Sequence, residues 1–270
     1  MAGPTTAERG ARKSPNGTDG SARPPRRGAA DGRSRLPGPR SLLIALAATV
    51  LVAGGIWVLY GSAWLRAERV RTTGTDVLSV REVEKAAAVP IGTPLISVDT
   101  DAIEARLRHK LPRIDSADVT RSWPHGISLK VAERKPVLLL RMGTKFAEVD
   151  VKGVRFATVD TGAAPKNVPL LELAADGSPS LRRFGTDRLV AEAVRVRAGL
   201  PPQVAADTRT VTVRSYDAIF LELTGGRTVV WGSSEEGEAK ARALTALMKA
   251  EPKARHFDVT APTAPSVAGS

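Results

Sequence analysis

The sequence contains no cysteine, which removes a disulfide framework, a thiolate zinc site and a cysteine nucleophile together. An oxidising compartment permits disulfides without requiring them, so this absence leaves the compartment open. Aromatic residues are 4% of the chain against 42% apolar residues overall, so any core must be built from Val, Leu, Ala and Ile. Histidine is scarce as well. His109, His125 and His256 fall in an expected helix, an expected turn and near the C-terminus, and none has a partner at metal-ligand or triad spacing. The phosphate-cradling G-x-x-x-x-G-K-[ST], the dinucleotide G-x-G-x-x-G, H-E-x-x-H, G-x-S-x-G and Ser-x-x-Lys patterns are all missing. The acidic pairs Glu82/Glu84 and Asp99/Asp101 stand at expected helix starts, where carboxylates complement the helix dipole. No enzyme, metal site or cofactor is expected.

Charge is also missing where it matters most. No charged residue lies between Arg40 and Arg66, and Leu42 to Tyr60 is nearly all Leu, Ile, Ala and Val. A run of this length can cross a hydrocarbon core of ~30 Å, and Trp57, Tyr60 and Trp64 sit at its far end, where amphipathic rings favour the interface. The 40 Lys and Arg against 28 Asp and Glu are unevenly spread. Residues 1–40 hold nine against three, rich in Gly, Pro and Ser with a single Leu, which predicts a disordered basic tail. With no zinc-finger, RNP-type or basic-zipper pattern beside it, the basic balance does not point to nucleic acid. Arginines before the span predict an N-terminus held inside and residues 66–270 outside, a single-pass type II arrangement. A cleaved signal, with Gly61-Ser62-Ala63 as cut site, is the competing reading. The apolar run is longer than a usual signal core, which favours an anchor.

Beyond the span the pattern predicts an α+β chain. A short strand near Val70 precedes a helix opened by the capping box Ser79-Val80-Arg81-Glu82 and running through Ala88. A second helix is expected to start at Asp101-Ala102-Ile103-Glu104, bury Ile103, Leu107 and Leu111, and stop at Pro112. Ile127, Leu129 and Val131 then alternate with polar or small residues, and Val119 precedes them across the turn Trp123-Pro124-His125-Gly126, which makes a hairpin. The rest reads as β-rich. Strands are expected at 137–141, 146–150, 210–214, 219–223 and 228–231, with Gly225-Gly226 turning the last pair. Helices are expected at 187–198 and at 235–249, the latter capped by Ser233 and Glu236, and a final strand from His256 to Thr260 leads into a frayed end.

Three blocks in the first folded segment resemble a POTRA domain, a small docking module of envelope assembly proteins: Val70-Arg71-Thr72-Thr73-Gly74, Arg121-Ser122-Trp123-Pro124 and Val131-Ala132-Glu133-Arg134-Lys135-Pro136. A signal anchor, a POTRA domain ending in Glu-Arg-x-Pro and a β-rich domain, in that order, resemble the FtsQ/DivIB family. Weaker matches follow in Val149-Asp150 with Gly153 and Phe156, in Val168-Pro169-Leu170-Leu171 and in Phe257-Asp258-Val259.

The resemblance implies a tail over 1–40, an anchor over 41–65, a POTRA-type α/β sandwich over 66–140, an FtsQ-type β domain with two helices over 141–262 and a flexible end over 263–270. It implies a non-catalytic scaffold at the division septum that links early division proteins to septal peptidoglycan synthesis. Its partners would be FtsB/DivIC-like and FtsL-like bitopic proteins and the septal synthase complex. A docking protein for secretion or assembly without a division role is the alternative, and an outer-membrane barrel would need more strands than follow here.

Within the POTRA motif, Val70, Gly74, Arg121, Trp123, Pro124, Glu133 and Arg134 carry the resemblance. Trp123 and Pro124 are read as shaping a turn, and Arg121, Glu133 and Arg134 as solvated strand and turn residues rather than contacts. The partner site is expected at a sheet edge formed by Phe257, Asp258, Val259, Thr260, Ala261 and Pro262, with Thr260 where the family suggests Arg.

Overall fold

The computed structural model describes residues 38–173 and 179–269. The basic tail expected over 1–40 therefore lies almost wholly outside the described residues. Helix α1 (Pro39–Gly61) is 23 residues long, about 34 Å at helical rise, and none of its residues is buried. It contains the charge-free run, and its length and composition suit a membrane span.

After α1, the chain forms β1 (Arg69–Thr73), α2 (Val80–Ala87), α3 (Thr100–Lys110), β2 (Ile114–Ser122) and β3 (Gly126–Glu133). The strands pair in the order β1-β3-β2, with β1 parallel and β2 antiparallel to β3. The period-two pattern of β3 buries Ile127, Leu129 and Val131, and these meet Val83, Ile103 and Leu107 from the helices in one apolar core. The Ser79–Glu82 capping box forms as its spacing predicts: the Ser79 hydroxyl accepts from Glu82 N–H, and the Glu82 carboxylate accepts from Ser79 N–H at 2.8 Å. This pairing holds the Glu82 carboxyl below its ordinary range, the Ser79 hydroxyl first and the Ser79 amide second. The start of α3 differs from expectation. Asp99, not Asp101, is the cap, accepting from Ala102 N–H at 3.0 Å, while Glu104 reaches across to accept from Val119 N–H at 3.0 Å.

The second core belongs to a nine-stranded sheet. Its strands are β4 (Leu138–Met142), β5 (Lys145–Val149), β6 (Arg155–Asp160), β7 (Leu170–Leu173), β8 (Thr208–Ser215), β9 (Ala218–Leu223), β10 (Thr228–Gly232), β11 (His256–Asp258) and β12 (Ser266–Ala268). They lie in the order β12-β11-β10-β9-β8-β7-β4-β5-β6. Helices α4 (Pro179–Gly199, interrupted at Gly185), α5 (Pro202–Asp207) and α6 (Gly237–Ala250) accompany it, and Leu189, Val190, Val194 and Leu244 from α4 and α6 pack with Trp231 and Phe257.

Two expectations are overturned in this half. The Ser233/Glu236 capping box does not form, because Glu236 adopts a left-handed backbone (φ +54°) and Lys240 folds back to donate to the Ser233 carbonyl at 3.0 Å. Burial holds the Lys240 ammonium below its ordinary range against the opposing pull of Glu236 and Glu235. The frayed terminus is likewise replaced by β12, which pairs antiparallel with β11.

Candidate partner-binding site

The expected edge begins as a strand and then stops being one. In β11, Phe257 and Val259 are buried while Asp258 lies between them half-buried, and β11 runs parallel to β10 with Phe257 opposite Val229. Val259 N–H still donates to the Val230 carbonyl at 3.0 Å. Asp258 Oδ1 then accepts from both Thr260 N–H (2.9 Å) and the Thr260 hydroxyl (2.7 Å), which closes a local turn and ends the strand. Ala264 N–H donates to the Ala261 carbonyl at 3.0 Å, so Ala261 and Pro262 belong to the turn rather than to an extended edge. The chain comes back as β12, setting Val267 opposite Phe257 and Ser266 opposite Asp258, with Arg255 N–H donating to the Gly269 carbonyl at 2.8 Å. The outer side of β11 is thus covered by the chain's own end. Sequence reasoning missed this because Ser266-Val267-Ala268 has no strand pattern of its own.

The POTRA-motif residues turn out to be holding the fold together. Val70 lies in β1 opposite Ile127. Gly74 has φ +85°, and a Cβ there would lie 2.0 Å from the Val131 carbonyl oxygen, so the close passage of chain over β3 needs glycine. Arg121 donates to the carbonyls of Leu95 (3.0 Å) and Val98 (2.7 Å), fixing the loop between α2 and α3. The Glu133 carboxylate accepts from three successive amides, Asp76 (2.8 Å), Val77 (3.1 Å) and Leu78 (2.9 Å), and so sets the loop that leads into the Ser79 cap. Arg121 is thus an exposed strand residue that nonetheless ties down a loop, and Glu133 is half-buried against the one it holds. Trp123 and Pro124 form the hairpin turn through a cis peptide, and Trp123 remains exposed.

Arg134 joins the two cores. Its guanidinium pairs with Asp150 and, at 3.0 Å, with Asp115, and it donates to the Pro112 carbonyl at 3.0 Å. Asp150 is itself buried and accepts from the amides of Lys152 (2.9 Å) and Val154 (2.8 Å). Arg113 pairs with the buried Glu148 at 2.6 Å and lies over the Phe156 ring, and Lys152 pairs with Asp115 at 2.6 Å. The Lys152 hydrogen bond, helped by the charges of Lys152 and Arg134 and opposed by slight burial, holds the Asp115 carboxyl below its ordinary range. Among the described residues no cluster of His, Asp and Glu is arranged to hold a metal.

The comparisons give this arrangement its family. A family model described as "POTRA domain, FtsQ-type" matches residues 65–134. The chain is 63% identical over 274 residues to "Cell division protein FtsQ" of Streptomyces venezuelae, covering 100% of this chain and 99% of that protein. The chain belongs to the FtsQ family of cell division proteins. A second FtsQ, from Streptomyces coelicolor, is 62% identical over 275 residues and covers both chains completely. Among solved structures, the major extracytoplasmic domain of the division protein DivIB from Geobacillus stearothermophilus aligns with 44% of this chain and 94% of that one, at 19% identity and a TM-score of 0.33. As a family member with one apolar helix among the described residues, near its N-terminus, the chain is a single-pass membrane protein with a role in cell division.

Proposed function

We propose that the chain is a non-catalytic scaffold at the division septum, linking early division proteins to septal peptidoglycan synthesis by receiving FtsB/DivIC-like and FtsL-like bitopic partners at the β11–β12 end of its sheet. In this reading α1 and its flanks (41–65) are the anchor, the POTRA domain (66–140) and the β domain (141–262) lie outside the cytoplasm, and catalysis belongs to the synthase complex.

The observation that carries the reading is how lightly that end is closed. β12 is three residues long, all of them exposed, and it is the last described strand of a nine-stranded sheet. An edge strand presents unpaired N–H and C=O groups on which another chain can build. Because β12 holds only His256, Phe257 and Asp258, an incoming strand replaces it and pairs with β11 directly. Phe257 and Val259, buried, hold β11 in place, while Asp258, Thr260, Ala261 and Pro262 form the rim the partner meets.

Titration of the bitopic partner's extracytoplasmic segment against the full chain and against a chain ending at Pro262 tests this. The shortened chain lacks the competing strand and is expected to bind about tenfold more tightly, the equivalent of ~1.4 kcal/mol. Unchanged affinity in a chain shown by circular dichroism to be folded would exclude the β11 edge as the site.

A further inference from the structure

We infer that the end of the POTRA domain nearest α1 rests on the membrane surface, with Ile91 and Trp123 in the headgroup region and Arg69 and Arg71 against anionic lipid headgroups. The inference rests on the single membrane span, and it holds for either orientation of the chain.

The chain leaves little slack between span and domain. α1 ends at Gly61, and Leu65 and Ala67 are already buried in the domain. Ala67 N–H donates to the Thr93 carbonyl (2.9 Å), Gly92 N–H to the Ala67 carbonyl (2.8 Å) and Glu68 N–H to the His125 carbonyl (2.9 Å). Only Ser62, Ala63 and Trp64 lie between helix and docked chain, and Ala63–Leu65 is a turn of 3₁₀ helix. Even fully extended, Gly61 to Leu65 spans at most about 14 Å. The interfacial layer on each side of the hydrocarbon core is itself ~5–8 Å deep.

The topology then decides which groups lie at that end. β1 starts there and β3 runs parallel to it, so the β2–β3 turn lies beside the start of β1, with Arg69 opposite Gly126. α2 runs back from the far end, which puts the loop after it there too, hydrogen-bonded to Ala67 through Gly92 and Thr93. Three large apolar side chains stand out from this one end: Trp64 at 69% exposure, Ile91 at 58% and Trp123 at 49%. Each comes from a different segment, which is what a shared surface produces and scattered exposure does not.

Arg69 and Arg71 alternate outward along β1, and with His125 they line a shallow depression of about 390 Å³ beside Trp123. Arg69 Nη2 lies 3.1 Å from His125 Nε2. Of the carboxylates at this end, Asp99 is occupied in capping α3, Asp101 lies in the first turn of that helix, and Glu68 immediately precedes β1. Exposed aromatic and aliphatic groups ringed by arginines fit the lipid interface, where rings sit at headgroup level and cations meet anionic lipid.

The absence of cysteine makes the test clean, since a fluorophore on Ile91→Cys, Trp123→Cys or Val77→Cys is the only label in its chain. Val77, more exposed than either, lies beyond the opposite end of β1. The full-length variants go into nanodiscs of phosphatidylglycerol and phosphatidylcholine carrying headgroup nitroxides. Labels at 91 and 123 are expected to be quenched several-fold more than the label at 77. Arg69→Gln and Arg71→Gln should each weaken docking by about fivefold, and replacing phosphatidylglycerol by phosphatidylcholine, which removes both attractions, by about twenty-five-fold. Equal quenching at 77, 91 and 123 would overturn the inference. So would shielding of 91 and 123 from aqueous quencher without quenching by the lipid label, which would mark a protein partner. Lipid contact that ignores both the arginine changes and the lipid charge would overturn the anionic assignment.

Discussion

At the residue scale, a single side chain sets the shape of a six-residue loop. Glu133 takes three backbone donors that would otherwise be orphans, and those amides immediately precede the cap of α2. Glu133→Ala is therefore expected to destabilise the POTRA core by ~1–3 kcal/mol, read as a lowered urea midpoint with unchanged slope. Glu133→Gln keeps one acceptor oxygen and should recover part of the loss. Such roles divide sharply by how far a residue reaches. The Ser79–Glu82 box spans three positions and could be read directly from sequence, and it forms. Glu133 acts on amides 55 to 57 positions away, and Arg134 on Asp150 sixteen positions away, so both pass for solvated charges in a linear reading. Asp99 and Asp101 show the finer limit: both could cap α3, and the choice fell to Asp99 because Glu104 is drawn to β2 instead of closing a box.

At the scale of elements, the junction between the two cores is electrostatic. Arg113, Arg134 and Lys152 meet Asp115, Glu148 and Asp150 where β2 and the end of β3 approach β5 and the turn after it. Arg134→Ala leaves the buried Asp150 without its cation and is expected to cost ~3 kcal/mol, more than the same change at an exposed arginine. The Asp115 carboxyl, lowered in the folded chain, gives a contribution that is present above about pH 4 and lost as the pH falls through the lower folded value, because the unfolded chain binds that proton first. Asp115→Asn should flatten this acid limb of a plot of urea midpoint against pH by lowering the neutral plateau toward the acid value.

Strands with strong alternation, such as β3, β8 and β9, were legible in sequence because each carries its own buried set. β6 buries only Phe156, β7 is four residues long between parallel neighbours, and β12 buries nothing, so their strand state is conferred by the strands beside them. The last of these bears directly on the candidate site: the β11 edge was legible, and its cover was not.

At the scale of the whole molecule, the order of apolar span, α/β segment and β-rich region follows from composition and period, the POTRA reading comes from the resemblance of three motif blocks, and the similarity to FtsQ proteins runs through all of it. Orientation should follow the charge asymmetry around the span, with nine Arg and Lys against three Asp and Glu in residues 1–40. A reporter that matures only outside the cytoplasm is expected to be active when fused after Ser270 and silent when inserted at Arg35. The reverse pattern would invert the assigned topology. The long sheet has one more consequence, and it concerns time. From β7 through β12 the strands are laid side by side in the order in which the chain is made. Synthesis runs from the N-terminal side, so the strands of this margin become available in that same order. The margin formed by β11 and β12 needs the last fifteen described residues, from Arg255 to Gly269, and cannot exist until those have been made. Until β12 has been made β11 stands bare, so a partner already in place would meet an open edge before the chain's own later strand can cover it.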